Sequence, residues 1–432
     1  MEEERGNVDV STKTMEPLLN VPNPRALQQT VPSVPGQSKS RNRPSMFRTL
    51  DTFDTEFSAD SVEWCPIDSF KDVFVCGTYE LSKTEDELTS KRLGRIYLFR
   101  ASKNGRITLL QKLDVPAVLD MKWARVTCRN QILLGVANCS GCLQIYRLEN
   151  DGDEEEEEEE GKKKKLAFLT EKRIVNTDET LALSLDWSHS GSSTSTNDEP
   201  NPRIVVSDSK GVVSLFEMNG DGLDPVCSWT AHEFEAWIAT FDYWDANVIY
   251  SGSGDDCKFQ RFDARIGTRR ATASNQIHRA GVTSIHSNAT REFLLSSGSY
   301  DEILRLWDTR NFERPVSQTN LRGGIWRLKW DPFARRYLLA ACMYGGFQVI
   351  DCENSETPCI IGKYDEHESI AYGCDWSFLN CEQTAREIIE TSEAQNLLLV
   401  ATCSFYDHAL KLASLRLDTM VNDESCEENT YA

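Results

Sequence analysis

Residues Phe293 to Arg310 read FLLSSGSYDEILRLWDTR. Leu294 and Leu295 run into Ser296, Ser297, Gly298 and Ser299, Tyr300-Asp301 breaks the run, and Ile303 to Trp307 resumes it. Two short strand-forming runs around a polar break predict an antiparallel pair joined by a tight turn. Such a pair cannot bury both faces alone. It has to belong to a larger sheet that stacks on others, so the next question is whether the chain repeats it.

It does. The Trp307-Asp308 ending is the signature of one four-stranded blade of a WD-repeat propeller, and blades are stable only when stacked. Copies follow in order. SVEWCP at Ser61 precedes VFVCGTY and GRIYLF, and VLDMKW at Val118 precedes ILLGVANCSGCLQIY. LSLDWS at Leu183 precedes IVVSDSKGVVSLF, and IATFDYW at Ile238 precedes VIYSGSGDDCKFQRFDAR. VTSIHS at Val282 precedes the opening stretch, WRLKWDP at Trp326 precedes YLLAACMYGGFQVIDC, and YGCDWS at Tyr372 precedes LLLVATCSFYDHALKLAS.

The fold expected is all-β, a seven-bladed WD-repeat β-propeller. The positions taken as equivalent are Trp64, Trp123, Trp187, Tyr243, Ser287, Trp330 and Trp376, spaced by 59, 64, 56, 44, 43 and 46 residues. The three longer intervals hold polar runs, Ser82–Lys91, Glu149–Lys165 and Ser188–Asn201, read as inserted loops. The propeller is expected over residues 47–415, with 149–165 a disordered acidic and basic loop. Disordered tails are expected at 1–46, rich in proline and polar residues, and at 416–432, polar and acidic. Arg48–Phe57 has no blade of its own, so it is expected to supply the outer strand of the last blade and close the ring.

Net charge −21 excludes a general affinity for nucleic acid or anionic lipid. No 18-residue apolar run predicts membrane insertion, and MEEERGNVDV does not resemble a signal peptide. Many of the 14 cysteines, such as Cys76, Cys342 and Cys403, sit in apolar runs, which suits a reducing compartment; a cytoplasmic monomer is expected.

Among chemical motifs, His278, Ser297, Asp301 and Trp307 occupy positions that WD repeats use for a buried hydrogen-bond network, so a structural role is expected. His232 with Ser251 and Asp255 or Asp256 repeats the pattern with Phe262 in place of Trp, and His367 with Asp407 echoes it with Leu412 there. Incomplete networks would free these groups for chemistry. Cys139 and Cys142 form a lone CxxC without a second pair, and no P-loop, GxGxxG, HExxH or G-x-S-x-G occurs, so neither metal nor cofactor is expected.

The residues before the turn acid of each blade are Tyr79, Ser140, Lys210, Gly254, Tyr300, Tyr344 and Tyr406. Four tyrosines should therefore ring one face, joined by His232, Glu235 and Trp237 from AHEFEAW and Trp326 from GGIWRLKW. Aromatic rings with carboxylates suit a cation, above all a quaternary ammonium.

AHEFEAWIATFDYW, SYDEILRLWDTR, WDPFARRYLLAACM and ATCSFYDHALKL, with LTSKRLGRIYLF and DSVEWCP, resemble the WD-repeat diphthine methyl ester hydrolase family, also called diphthine methyltransferase. The resemblance runs from about Asp51 to Leu415. It implies action late in diphthamide synthesis on a modified histidine of translation elongation factor 2. There the methylated intermediate carries a trimethylammonium group and a methyl ester, and the ester is hydrolysed before a final amidation. No catalytic set comes with the resemblance. His408 or His232 is the expected base, oriented by Asp407 or Glu235, with Tyr300, Tyr344, Tyr406, Trp237 and Trp326 holding the ammonium. The competing expectation is a non-catalytic adaptor. Trp307-Asp308-Thr309-Arg310 and Phe262-Asp263-Ala264-Arg265 match the WDxR pattern of substrate receptors for cullin-based ubiquitin ligases, which would dock through Arg310 and Arg265.

Overall fold

A computed structural model describes residues 46–83, 90–151, 163–174, 179–188, 201–389 and 396–417. They form seven antiparallel sheets, one per blade. The inner strands are Ala59–Trp64, Val118–Trp123, Ala182–Trp187, Ala236–Phe241, Val282–Ser287, Arg327–Trp330 and Ala371–Trp376. Each packs on the next, and the first meets the last, so the ring is closed around a channel.

The closing strand is Phe47–Asp54. It pairs antiparallel with Ala409–Arg416, from Phe47 opposite Leu415 to Asp54 opposite Ala409, and completes the last blade. Phe47 is buried and stacks on Tyr364 at 5.1 Å, while the Thr49 hydroxyl meets the Tyr364 hydroxyl at 2.6 Å. The segment left over by the repeat count thus removes the sheet edge that an open ring would expose.

Sequence and structure also explain how neighbouring blades lock. An inner strand has one unpaired edge facing the channel, and its N–H groups need acceptors. Side chains from the preceding blade supply them. Asp120 accepts from Leu185 N at 3.0 Å, Ser184 from Ala239 N at 2.9 Å, and Ser284 from Leu328 N at 3.0 Å. Two residues further along the inner strands, Asp186 accepts from Phe241 N, His286 Nδ1 from Trp330 N and Asp375 from Trp64 N, at 3.0, 3.1 and 2.8 Å. The strand-ending tryptophans complete the staple. Trp123, Trp187, Trp330 and Trp376 donate Nε1–H to the carbonyls of Glu63, Lys122, His286 and Lys329 on the blade before.

Several expectations need correction. The fourth equivalent position is Phe241, which lies opposite Ile249 as Trp64 lies opposite Phe74; Tyr243 is two residues past the strand. Three aromatics in a row of four hid the register. The first long interval is partly sheet: Glu80–Lys83 pairs with Ser90–Leu93, and blade 1 has five strands. The expected loop 149–165 begins and ends as sheet, with Lys165 opposite Glu149 and Lys164 opposite Asn150. Lys164 is drawn in because its ammonium lies 3.5 Å from Asp72 and 4.4 Å over the Phe70 ring of blade 1. A short helical segment, Cys381–Gln383 continuing through Thr384–Ile389, interrupts the last blade and was not expected. Asn380 caps it, and Ala385 and Ile388 are buried. The remainder of the acidic loop, the centre of Ser188–Asn201, the 1–45 tail and residues 418–432 lie outside the described residues.

Candidate functional site

In each blade the second strand runs back to where the inner strand starts, so its following turn meets the lead-in loop of the same blade. Tyr79 N donates to Ser58 O, Tyr300 N to Gly281 O, Tyr406 N to the Ser369 hydroxyl and Gly254 N to Glu235 O, at 2.9 to 3.0 Å. This is what gathers the turn tyrosines and the lead-in tryptophans at one mouth of the channel.

There they form a continuous aromatic wall. Trp237 meets Tyr300 at 5.2 Å and Trp326 at 6.2 Å, and Tyr300 meets Trp326 at 5.9 Å. Trp326 meets Tyr372 at 4.5 Å, Tyr372 meets Phe405 at 4.9 Å, and Phe405 meets Tyr406 at 5.1 Å. Edge-to-face and tilted pairs at these separations are mutually attractive and hold the rings in place. Trp237 is seated in a slot without side chains: a Cβ on Gly281 would come within 2.8 Å of the indole and one on Gly254 within 3.0 Å. Tyr344 and Tyr406 stand at the rim, 57% and 43% exposed. Burial and the neighbouring tyrosines raise the Tyr300 and Tyr406 hydroxyls above the ordinary phenol range.

Beside this wall lies Asp60, the second residue of the first inner strand. The register-equivalent residues of the other blades are Leu119, Leu183, Trp237, Thr283, Trp326 and Tyr372. The ring at this level is thus mostly apolar with one carboxyl in it. Asp60 is 4% exposed and, among the described residues, accepts no hydrogen bond and makes no ion pair. Buried polar groups are nearly always paired, so this is exceptional. Burial pushes its carboxyl up to about 8, opposed by Arg327 and assisted by Asp120. The Tyr300 hydroxyl and Trp326 Nε1 are also buried without a partner.

Deeper in the channel lies a cavity of about 50 Å³, enough for several waters, lined by charged residues of both signs. Its charges are mostly committed. The Lys329 ammonium is hydrogen-bonded to Glu63 and lies 3.8 Å from Asp375; Lys122 lies 3.7 Å from Glu63; and Asp186, His286 and Asp375 cap strand edges.

The residues expected at the site divide sharply. Tyr300, Tyr344, Tyr406, Trp237 and Trp326 share the mouth. The four expected catalytic residues do not converge. His232 is buried and closed: Nε2 meets the Ser251 hydroxyl at 2.8 Å, Nδ1 meets Asp256 at 3.3 Å, and the Gln260 amide lies 3.4 Å away. Its network is complete without a tryptophan because Gln260 bridges it to Ala231 O. Its carboxylate partner is Asp256, not Glu235, whose carbonyl receives Gly254 N–H. Asp407 likewise does not orient His408. It accepts from the Ser404 hydroxyl and from Glu368 N, and Ser404 joins it to His367, which also meets Thr402. His408 occupies a left-handed turn, φ 55°, and its carbonyl receives both N–H and O–H of Thr55, just past the closing strand. The His232 ring is thus committed to the fold, while His408 contributes its backbone carbonyl to ring closure.

The expected structural network in blade 5 is present with an addition. His278 Nε2 and Trp307 Nε1 meet the Ser297 hydroxyl at 2.9 and 2.8 Å, while Arg305 stands between His278 and Asp301, 2.8 Å from each. Arg310 forks onto Asp308, and Arg265 binds Asp263 and Asp245. Cys139 and Cys142 are free thiols, as are all the described cysteines. Sequence reading missed Asp60. Its signal was faint: an acid at the second position of an inner strand where most copies carry an apolar or aromatic residue.

These features define a WD-repeat β-propeller with an aromatic wall at its turn-bearing mouth. A chain in the crystal structure of a mitotic checkpoint complex shares that fold, with a TM-score of 0.59 at 13% identity over 89% of this chain and 96% of that one. No protein-family model matches the chain. Relatives are more specific. The chain is 39% identical to diphthine methyltransferase of Mus musculus over 77% of its length and 70% of the relative's, and 39% identical to that of Homo sapiens over 76% and 75%. It is 35% identical to the diphthine methyltransferase homolog of Dictyostelium discoideum over 83% and 96%. The chain belongs to the diphthine methyltransferase family.

Proposed function

We propose that this protein acts in diphthamide biosynthesis by hydrolysing the methyl ester of methylated diphthine on translation elongation factor 2. The observation that carries the reading is the unbroken wall Trp237–Tyr300–Trp326–Tyr372–Phe405 beside a buried carboxyl. A trimethylammonium group cannot donate hydrogen bonds, so it is recognised by ring faces and by negative charge. Each well-placed ring contributes about 0.5–2 kcal/mol, more when water is excluded. In methylated diphthine the ammonium nitrogen and the ester carbonyl sit on the same carbon. A chamber that holds one therefore fixes the other within a bond or two, which is the positional advantage an esterase needs. The exposed rim tyrosines leave the mouth open for a loop of a large protein substrate.

The test is to mix the purified chain with elongation factor 2 carrying methylated diphthine. Multiple turnovers of methanol, with loss of one methyl mass from the factor, are expected. A gain of methyl mass would mean methyl transfer instead, and tight binding without either would favour an adaptor.

A further inference from the structure

The aromatic wall accounts for binding a cation. It does not account for three polar atoms beside it that have no partner: Asp60 Oδ1, the Tyr300 hydroxyl and Trp326 Nε1. They come from three blades. Trp326 and Tyr300 are 5.9 Å apart by ring centroid, and Asp60 raises the Tyr300 hydroxyl through its charge. One of the three is an acceptor and two are donors. Leaving each buried and unsatisfied costs about 1–3 kcal/mol, and no structural bond is gained in return. Unpaired donors and an unpaired carboxyl along one aromatic wall are what hydrolysis of an ester requires before its substrate arrives: a base for water and hydrogen bonds for the oxygen that becomes negative.

We propose that Asp60 is the general base of ester hydrolysis, and that the Tyr300 hydroxyl and Trp326 Nε1–H receive the oxyanion. The inference rests on the esterase reading above. The ammonium sits against the wall with its positive charge near the Asp60 carboxylate. A water on Asp60 attacks the ester carbonyl carbon as its proton passes to Asp60, and the carbonyl π pair moves onto the oxygen facing Tyr300 and Trp326. The tetrahedral adduct then collapses. The carbon–methoxy bond breaks, its electron pair leaves with the methoxy oxygen, and Asp60 returns the proton to make methanol. The carboxylic acid product loses its own proton to solvent. One water is consumed and no oxidant, reductant or metal is needed.

The surroundings of Asp60 tune this role. Arg327 of blade 6 and Asp120 of blade 2 act on its charge, and the hydroxyls of Tyr79, Tyr300 and Tyr372 and the Cys403 thiol respond to it. Burial is the dominant influence and pushes the carboxyl up to about 8. A bound quaternary ammonium opposes that burial, so the substrate itself promotes the ionised base.

The experiment compares wild type, Asp60→Asn, Asp60→Glu and Tyr300→Phe, measuring methanol release from methylated-diphthine elongation factor 2 across pH, with melting curves alongside. Wild-type kcat/KM should rise with pH toward a plateau near the Asp60 value. Asp60→Asn should lose about 10²–10⁴ in kcat and that limb of the profile, while Asp60→Glu should keep part of the rate. Tyr300→Phe should lose about 10²-fold or more in kcat. Neither Asp60→Asn nor Tyr300→Phe removes a hydrogen bond of the fold, so melting temperatures should hold or rise. Asp60→Asn within tenfold of wild type overturns the assignment while leaving the esterase intact. A fall in rate matched by a fall in melting temperature overturns it in favour of a structural role. A wild type that releases no methanol overturns the esterase reading and this inference with it.

Discussion

At the scale of the residue, what stands out is how differently this protein treats its buried ionisable groups. His278, His286 and His367 are all held below the ordinary histidine value, and burial is the leading cause for each; His367 is brought to about 3. The neutral ring is what the fold uses. His286 Nδ1 has to be unprotonated to accept Trp330 N–H, and His367 is placed between two hydroxyls. In the unfolded chain these rings bind protons below the usual value of 6.5. Protonation therefore favours unfolding, and their contribution to stability is present above 6.5 and lost as pH falls toward the folded values. Thermal melts from pH 7.5 to 4.5 should show stability declining from about 6.5, before the carboxylates titrate. His367→Gln should flatten part of that decline; an unchanged slope in the variant would remove His367 from the account. Asp60 is the opposite case, a group for which the fold supplies no partner at all.

At the scale of the element, the closing strand shows why repeat counting works. A last blade with three consecutive strands is one short of complete and must find its fourth elsewhere, and Phe47–Asp54 is where the chain has it. Its anchor is Phe47, buried against Tyr364 and Phe347 neighbours in the core shared with blade 6. Phe47→Ala should cost about 3–5 kcal/mol in urea unfolding, in the range for deleting a buried aromatic ring. A loss below about 1 kcal/mol would mean that the strand docks through its backbone alone. The same scale explains the errors of register and extent. Phe241, Tyr243 and Trp244 are interchangeable on paper, and only the pairing with Ile249 chooses among them. The loop with Glu149 and Lys165 reads as a charged insertion, yet opposite charges across an antiparallel pair are favourable, and Asp72 gives Lys164 a partner in another blade. Cys381–Ile389 is too short to show a helical period, and its cap at Asn380 is the only local sign.

At the scale of the whole molecule, the ring arranges two kinds of polar chemistry along one channel. The deep charges are matched and hold blades together. The aromatic mouth is left unsaturated, and its rim is exposed. Rim and wall should therefore answer to mutation differently. Tyr344→Ala and Tyr406→Ala, at the exposed edge, should raise KM for modified elongation factor 2 several-fold with kcat nearly kept, the signature of binding felt equally in ground and transition states. Trp237→Ala, in the wall, should lower kcat/KM by about tenfold or more. Equal effects on kcat from rim and wall would contradict this division.

The sequence by itself determined the number of blades, the closing strand, the blade 5 network and the face on which the tyrosines gather. All of these follow from a repeated pattern in which each copy informs the others, and from the alternation that fixes which end of a strand meets which turn. Only the tertiary structure decided which polar groups are satisfied. His232 and Asp407 look available in a string of letters, but each side chain is occupied by a residue far away in sequence or across a turn: Ser251 and Asp256, and Ser404. Asp60 looks unremarked among many acids, and it alone at its level of the channel is a carboxyl, buried with nothing to bond. Burial and pairing depend on what the other blades bring to the same place, and seven strands converging on one axis bring together residues that no spacing along the chain connects.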